Sequence, residues 1–132
     1  MSPHDPSFRP CLLLATGAFA LPPEALIRLR RLGWDIYRAR FGPEVRRLAR
    51  MLEPDLVVMD TDLDGESGWL TCAKLKRELP DGEVILTTGE DTPSNRALAA
   101  FAGASALLTR RHDLVSLPHP RRFLAGRLAE AA

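Results

Sequence analysis

Three carboxylates stand two apart in Asp60-Thr-Asp62-Leu-Asp64, directly after the apolar run Leu56-Val-Val-Met59, and the chain then turns through Gly65 and Gly68. An apolar run without alternation reads as a strand buried on both faces, as in parallel sheets. An open α/β sheet places its site at the carboxyl end of such strands. Like charges this close repel unless something positive joins them, so the cluster is unlike packing and points to a site that something positive completes. A later apolar run, Glu83-Val-Ile-Leu-Thr-Thr88, has strand length and is bounded by Gly89.

Two motifs compete for the acidic cluster. Asp60, Asp62, Asp64 and Gly65 match the first half of an EF-hand loop, but a strand precedes them and Thr71 stands where the bidentate Glu belongs. An apolar strand ending in Asp-x-Asp is also similar to the first motif of haloacid-dehalogenase-type phosphatases, with Asp60 as nucleophile and Asp62 as acid/base. There Asp64 replaces the usual Thr or Val, no later strand ends in Lys, and Glu90-Asp91 follows Thr88 too closely to be the late acidic pair.

The elements that must position these residues follow from apolar spacing and breakers. Strand one is expected over residues 11–16. A helix over 21–32 follows, with Pro22 and Pro23 in its first turn, Leu26, Ile27 and Leu32 on its apolar stripe and Gly33 as its stop. Trp34 to Ala39 alternates as an exposed or edge strand does. A second helix opens at Gly42-Pro43, carries Val45, Leu48, Met51 and Leu52 inward and ends at Pro54. Strand three covers 55–59 or reaches Asp60. Helix three covers 69–79, strand four 83–88, and Thr92-Pro93 caps a fourth helix that Gly103 ends. Strand five is expected over 105–108, and a last helix over 120–131. Alternating strands and helices imply a parallel sheet covered on both faces by right-handed crossovers.

The chain has 132 residues, 45% hydrophobic and 27% charged, which fits one domain at 11–132 behind a loose tail at 1–10. No apolar run approaches the roughly 20 residues of a membrane span, and the N-terminus has no signal-peptide pattern, so a cytoplasmic setting without membrane contact is expected. Net charge is +1, but residues 1–52 carry +5, residues 53–91 carry −8 and residues 92–132 carry +4. That overall balance argues against direct nucleic-acid binding. Cys11 and Cys72 read as buried free thiols of a reducing compartment. His4, His112 and His119 have no ligand spacing, and the Arg46, Arg47 and Arg50 side of helix two reads as a solvated face.

Pro54 to Asp60, the turn ending at Gly68, Val84 to Thr88 and Gly103 to Thr109 stand at spacings that together resemble the response-regulator receiver domain of two-component signalling, from about Cys11 to the last helix. The resemblance implies a flavodoxin-like three-layer sandwich with sheet order 2-1-3-4-5. It implies phosphoryl transfer from a partner's phosphohistidine to Asp60, with Mg²⁺ held by an acidic pair ending strand one, by the phosphoacceptor and by the carbonyl of Asp62. It also implies a switch hydroxyl at Thr88 and a Lys after strand five. Here the acidic pair falls on Ala15 and Thr16, and the Lys on Arg110, a planar fork and not a point charge. The aromatic of the usual rotamer switch falls on Leu107, and Asp64 stands where the family often has Pro.

The fold signals are thus intact while the metal chemistry is missing. The expectation is a degenerate (pseudo-receiver) domain in phosphorelay signalling that is not an enzyme, needs no cofactor or metal, and acts by binding a histidine kinase, phosphotransfer protein or output protein. The alternative is a phosphorylatable receiver using Mg²⁺, with Asp62, Asp64, Glu90 or Asp91 as substitute ligand. Arg110 is expected to pair with Asp60 or Asp62, and Thr88 could equally be a plain strand end. The resemblance also implies a partner or homodimer face on helix four, strand five and helix five, including Arg96, Phe101, Arg121 and Arg122.

Overall fold

The computed structural model describes residues 9–17 and 22–109. The elements alternate: β1 (Cys11–Ala15), α1 (Pro23–Arg31), β2 (Asp35–Ala39), α2 (Gly42–Leu52), β3 (Leu56–Asp60), α3 (Gly68–Glu78), β4 (Val84–Thr88), α4 (Pro93–Ala102) and β5 (Ala106–Thr109). The five strands are all parallel and lie in the order β2-β1-β3-β4-β5, the expected receiver-like arrangement. Every expected element within these residues is present, with ends shifted by one or two positions. The expected last helix, with Arg110, Arg111, Arg121 and Arg122, lies outside the described residues, as does the tail apart from Arg9 and Pro10. Pro10 already belongs to the sheet edge, because its carbonyl accepts the Asp35 N–H at 2.8 Å.

Both faces of the central strands are buried, and alternation divides their residues between two cores. Leu13, Ala15, Val57, Met59, Val84 and Leu86 face α2, α3 and α4, and pack on Val45, Ala49, Cys72, Leu75, Ala99 and Ala102. Leu12, Leu14, Leu56, Val58 and Ile85 face the α1 side and pack on Leu29 and Trp34. Each fully buried leucine stabilises the fold by about 2 kcal/mol.

Local signals explain the element ends. Ser67 caps α3 by accepting the Leu70 N–H, and Thr92 caps α4 by accepting the Asn95 N–H at 3.1 Å. Gly103, at φ +87°, ends α4. The end of α2 is unusual. Glu53 occupies the left-handed region at φ 46° and ψ 59°, a conformation glycine takes more readily.

Two side chains expected inward, Ile27 and Met51, are not. They are 46% and 72% exposed, because α1 buries Ala25 and Leu29, and α2 buries Val45 and Ala49. Phe101 is 92% exposed, beside Leu98, because the small residues Ala99 and Ala102 form the contact face of α4. The arginines of α2 are not simply solvated either. Arg50 binds Glu78 of α3 at 2.9 Å, and Arg46 lies 3.5 Å from Glu78 and 3.6 Å from Glu66.

Candidate functional site

Asp60 ends β3 in register with Thr87 of β4 and is 2% exposed. Its Oδ1 accepts the Asp62 N–H at 2.8 Å, and its Oδ2 accepts the Thr87 hydroxyl at 2.9 Å. The backbone is held equally closely. The Thr61 N–H donates to the Thr87 carbonyl at 2.9 Å, and the Gly68 N–H donates to the Thr61 carbonyl at 2.8 Å. A Cβ on Gly68 would lie 2.2 Å from the Asp60 carbonyl oxygen, so α3 can start this close to the strand only with glycine there.

Of the two adjacent threonines, Thr87 reaches the Asp60 carboxylate. Strand alternation puts Thr87 on the Asp60 side and Thr88 on the opposite one, toward α4. There the Thr88 hydroxyl, on a residue only 5% exposed, has the Asn95 side-chain amide at 3.5 Å. Thr87 was not singled out from the sequence. Its signal is the parallel register that places it abreast of Asp60, which the strand pattern alone does not supply.

Beside this end of β3, β1 ends in Ala15, fully buried and in register with Met59, and Thr16, 8% exposed. Gly17, at φ +60°, follows them. A Cβ there would lie 2.6 Å from the Asp62 carbonyl oxygen, the backbone oxygen that a receiver-type metal site would use. Mg²⁺ needs several hard oxygens in near-octahedral arrangement. Here β1 supplies no carboxylate, which leaves the Asp60 carboxylate, already accepting two hydrogen bonds, and the Asp62 carbonyl beside Gly17 as the oxygens at this position. Among the described residues no group of three or more His, Cys, Asp or Glu side chains is placed to hold a metal.

The other acids of this end are tied elsewhere. Asp64 forms an isolated parallel bridge with Phe41 and receives Arg40 Nε on its Oδ2 at 2.6 Å. Asp91 binds Arg96 at 2.6 Å, and that hydrogen bond followed by the Asp91 charge raises the Arg96 pKa further. Glu90 gives its carbonyl to the Asn95 side chain at 2.8 Å. Asp62 is exposed and supplies the N–H that holds Asp60. Arg110 lies outside the described residues.

Glu66 anchors the loop from β3 to α3 and was not anticipated. Its side chain is 9% exposed, accepting Lys74 Nζ at 2.7 Å and the Thr71 hydroxyl at 2.8 Å. Burial pushes its carboxyl up, but the Lys74 and Thr71 hydrogen bonds and the Lys74 and Arg46 charges outweigh that and hold it below its ordinary value. The two thiols carry no comparable chemistry. Burial raises both to about 11, with Asp35 and Asp55 adding to the effect at Cys11. Cys72 lies 3.4 Å from the Ala102 carbonyl.

Comparison with known proteins bears on the same arrangement. A family model described as "Response regulator receiver domain" matches residues 25–119. The protein described as "Probable transcriptional regulatory protein TcrX" of Mycobacterium tuberculosis is 35% identical over 82 residues, which is 62% of this chain and 35% of that protein. The chain thus spans about a third of the length of that relative. Similar solved structures include the chemotaxis response regulator CheY4 of Vibrio cholerae, with TM-score 0.71 and 15% identity, covering 95% of this chain and 100% of that one. A CheY-like receiver domain protein of Methanospirillum hungatei gives 0.66 and 21%, covering 94% of each. A LuxR-family two-component response regulator of Aurantimonas gives 0.71 and 24%, covering 93% of this chain and 87% of that one.

Proposed function

The chain belongs to the response regulator receiver domain family of two-component signalling, and on that premise we propose that it signals by protein–protein contact, without magnesium-dependent phosphorylation of Asp60. One observation carries the reading. Asp60 is 2% exposed, both its carboxylate oxygens accept hydrogen bonds within the fold, and the neighbouring strand β1 ends in Ala15 and Thr16, with no carboxylate there. In-line attack on a phosphorus needs cations to neutralise the transferring group, and β1 brings no carboxylate to hold one. The chain in this reading is a non-enzymatic module, with the cytoplasm as its proposed setting.

The partner in this reading is a histidine kinase, a phosphotransfer protein or an output protein. The proposed contact face is the outer side of α4, where Leu98 and Phe101 are exposed three residues apart, with β5 beside it. A second copy of the chain could use the same face. DNA contact, if the full protein makes any, is assigned to an output portion and not to these residues.

Incubation with Mg²⁺ and acetyl phosphate, followed by intact mass, tests the proposal. The expected result is no added phosphoryl group. A stoichiometric adduct that disappears in Asp60→Asn would replace this reading with a phosphoacceptor function.

A further inference from the structure

The ends of β1 and β2 form a cleft of about 370 Å³ on the side of β1 away from β3, lined by Thr16, Gly17, Arg38, Ala39, Arg40 and Glu44. From this cleft we infer a site for a small anionic metabolite bearing a phosphate or carboxylate group. The volume falls in the lower part of the range of small-molecule pockets. The location is the carboxyl end of the parallel sheet, one strand away from the β1/β3 switch point where open α/β folds place their ligands.

The charges are arranged for an anion. Leu14 pairs with Arg38 and Ala15 with Ala39, so Thr16 and Arg40 follow abreast as the two strands end. Arg40 gives its Nε to Asp64, leaving its two terminal nitrogens without a hydrogen-bond acceptor among the described residues. Arg38 has no hydrogen-bond or ion-pair partner among those residues, and neither has the Thr16 hydroxyl. Carboxylates balance part of this charge, because Asp64 pairs with Arg40 and Glu44 of the lining accepts the Arg40 backbone N–H at 2.8 Å, and Arg38 is the cation left to meet an anion. Two guanidinium forks and a hydroxyl around one concavity match the several acceptor oxygens of phosphate or carboxylate, which bind arginine through paired hydrogen bonds. Where the family would gather negative charge for a cation, this chain has placed Thr16 and, next to it, two arginines.

The site is separate from Asp60 and does not depend on the reading proposed above. Isothermal titration of the full chain with inorganic phosphate, pyrophosphate and citrate, each at fixed ionic strength, tests it. Saturable one-to-one binding of at least one probe is expected, and the preferred probe tells phosphate from carboxylate. Arg38→Gln should weaken that binding about tenfold, the size of one charge-assisted contact. Thr16→Val should weaken it by a smaller factor. Arg47→Gln, an exposed arginine of α2 outside the cleft, should leave it unchanged, and so should Asp60→Asn. Circular dichroism of each variant separates lost binding from lost fold. No saturable binding of any probe, an equal loss in Arg47→Gln, or a loss in Asp60→Asn would each overturn the inference.

Discussion

Replacing Thr87 by valine keeps the shape of the side chain and removes the hydroxyl that donates to Asp60. Thr87 is 6% exposed and Asp60 2%, so water does not readily take the donor's place. A hydrogen bond to a charged group contributes about 1.5–3 kcal/mol. Valine recovers part of that, because a hydroxyl need no longer be desolvated. The net expected loss is about 2 kcal/mol. With an unfolding entropy of about 2 cal/mol/K per residue, the 132 residues turn this into a fall in Tm of about 7 °C. Urea unfolding followed by the fluorescence of Trp34 and Trp69 measures it, with an unchanged slope showing that the loss is in the folded state. Thr88→Val is the control. Its hydroxyl meets only the Asn95 amide at 3.5 Å, so its loss should stay within about 0.5 kcal/mol. Combined with Asp60→Asn, the Thr87 change should be non-additive by at least about 1 kcal/mol, as directly bonded partners are. A Thr87 effect below about 0.5 kcal/mol, or a larger effect at Thr88, would refute the assignment of the two hydroxyls.

Two other substitutions test the frame around the site. Glu66→Gln should cost about 1–2 kcal/mol near neutral pH, between the values for exposed and buried pairs, since Glu66 is 9% and Lys74 37% exposed. Because folding lowers the Glu66 pKa from its ordinary 4.5, its contribution is complete above that value and is lost as pH falls through the lower folded value. The gap between native chain and variant in urea midpoint should therefore shrink from about pH 7 to about pH 3, and a gap independent of pH would contradict the ion-pair account. Glu53→Gly relieves a left-handed backbone conformation and should stabilise the fold by about 0.5–1 kcal/mol after the added flexibility of the unfolded chain is counted. A lower Tm would show that the Glu53 side chain makes up for its strain.

The fold was legible because its signals are local or periodic. The runs at residues 11–16, 55–60 and 83–88 have the length and continuity of buried strands, and Gly33, Pro54 and Gly103 mark ends that geometry enforces. The choice between Thr87 and Thr88 was not legible, because it depends on which residue of β4 lies abreast of Asp60. Register is a property of two strands, and neither sequence run contains it. The same holds for Asp64, whose bridge to Phe41 and ion pair with Arg40 join positions more than twenty residues apart. Arg46 and Arg50 look solvated on α2 alone and become paired only when α3 supplies Glu78. Ile27 and Met51 were misplaced for a related reason. A helical stripe gives the apolar positions, while the helices here turn mainly alanine and one or two larger residues to the sheet.

The protonated state of the two thiols bears on how the molecule ages. At a pKa of about 11 for both Cys11 and Cys72, only about one thiol in ten thousand is ionised at neutral pH, and it is the thiolate that oxidants attack. A thioether needs no ionisation to react. Met59 is sealed in the core at 0% exposure, while Met51 stands 72% exposed on the outer side of α2. Among the described residues, oxidative wear therefore begins at Met51. It converts a side chain that lies mostly in solvent into its sulfoxide, outside the core that holds the sheet.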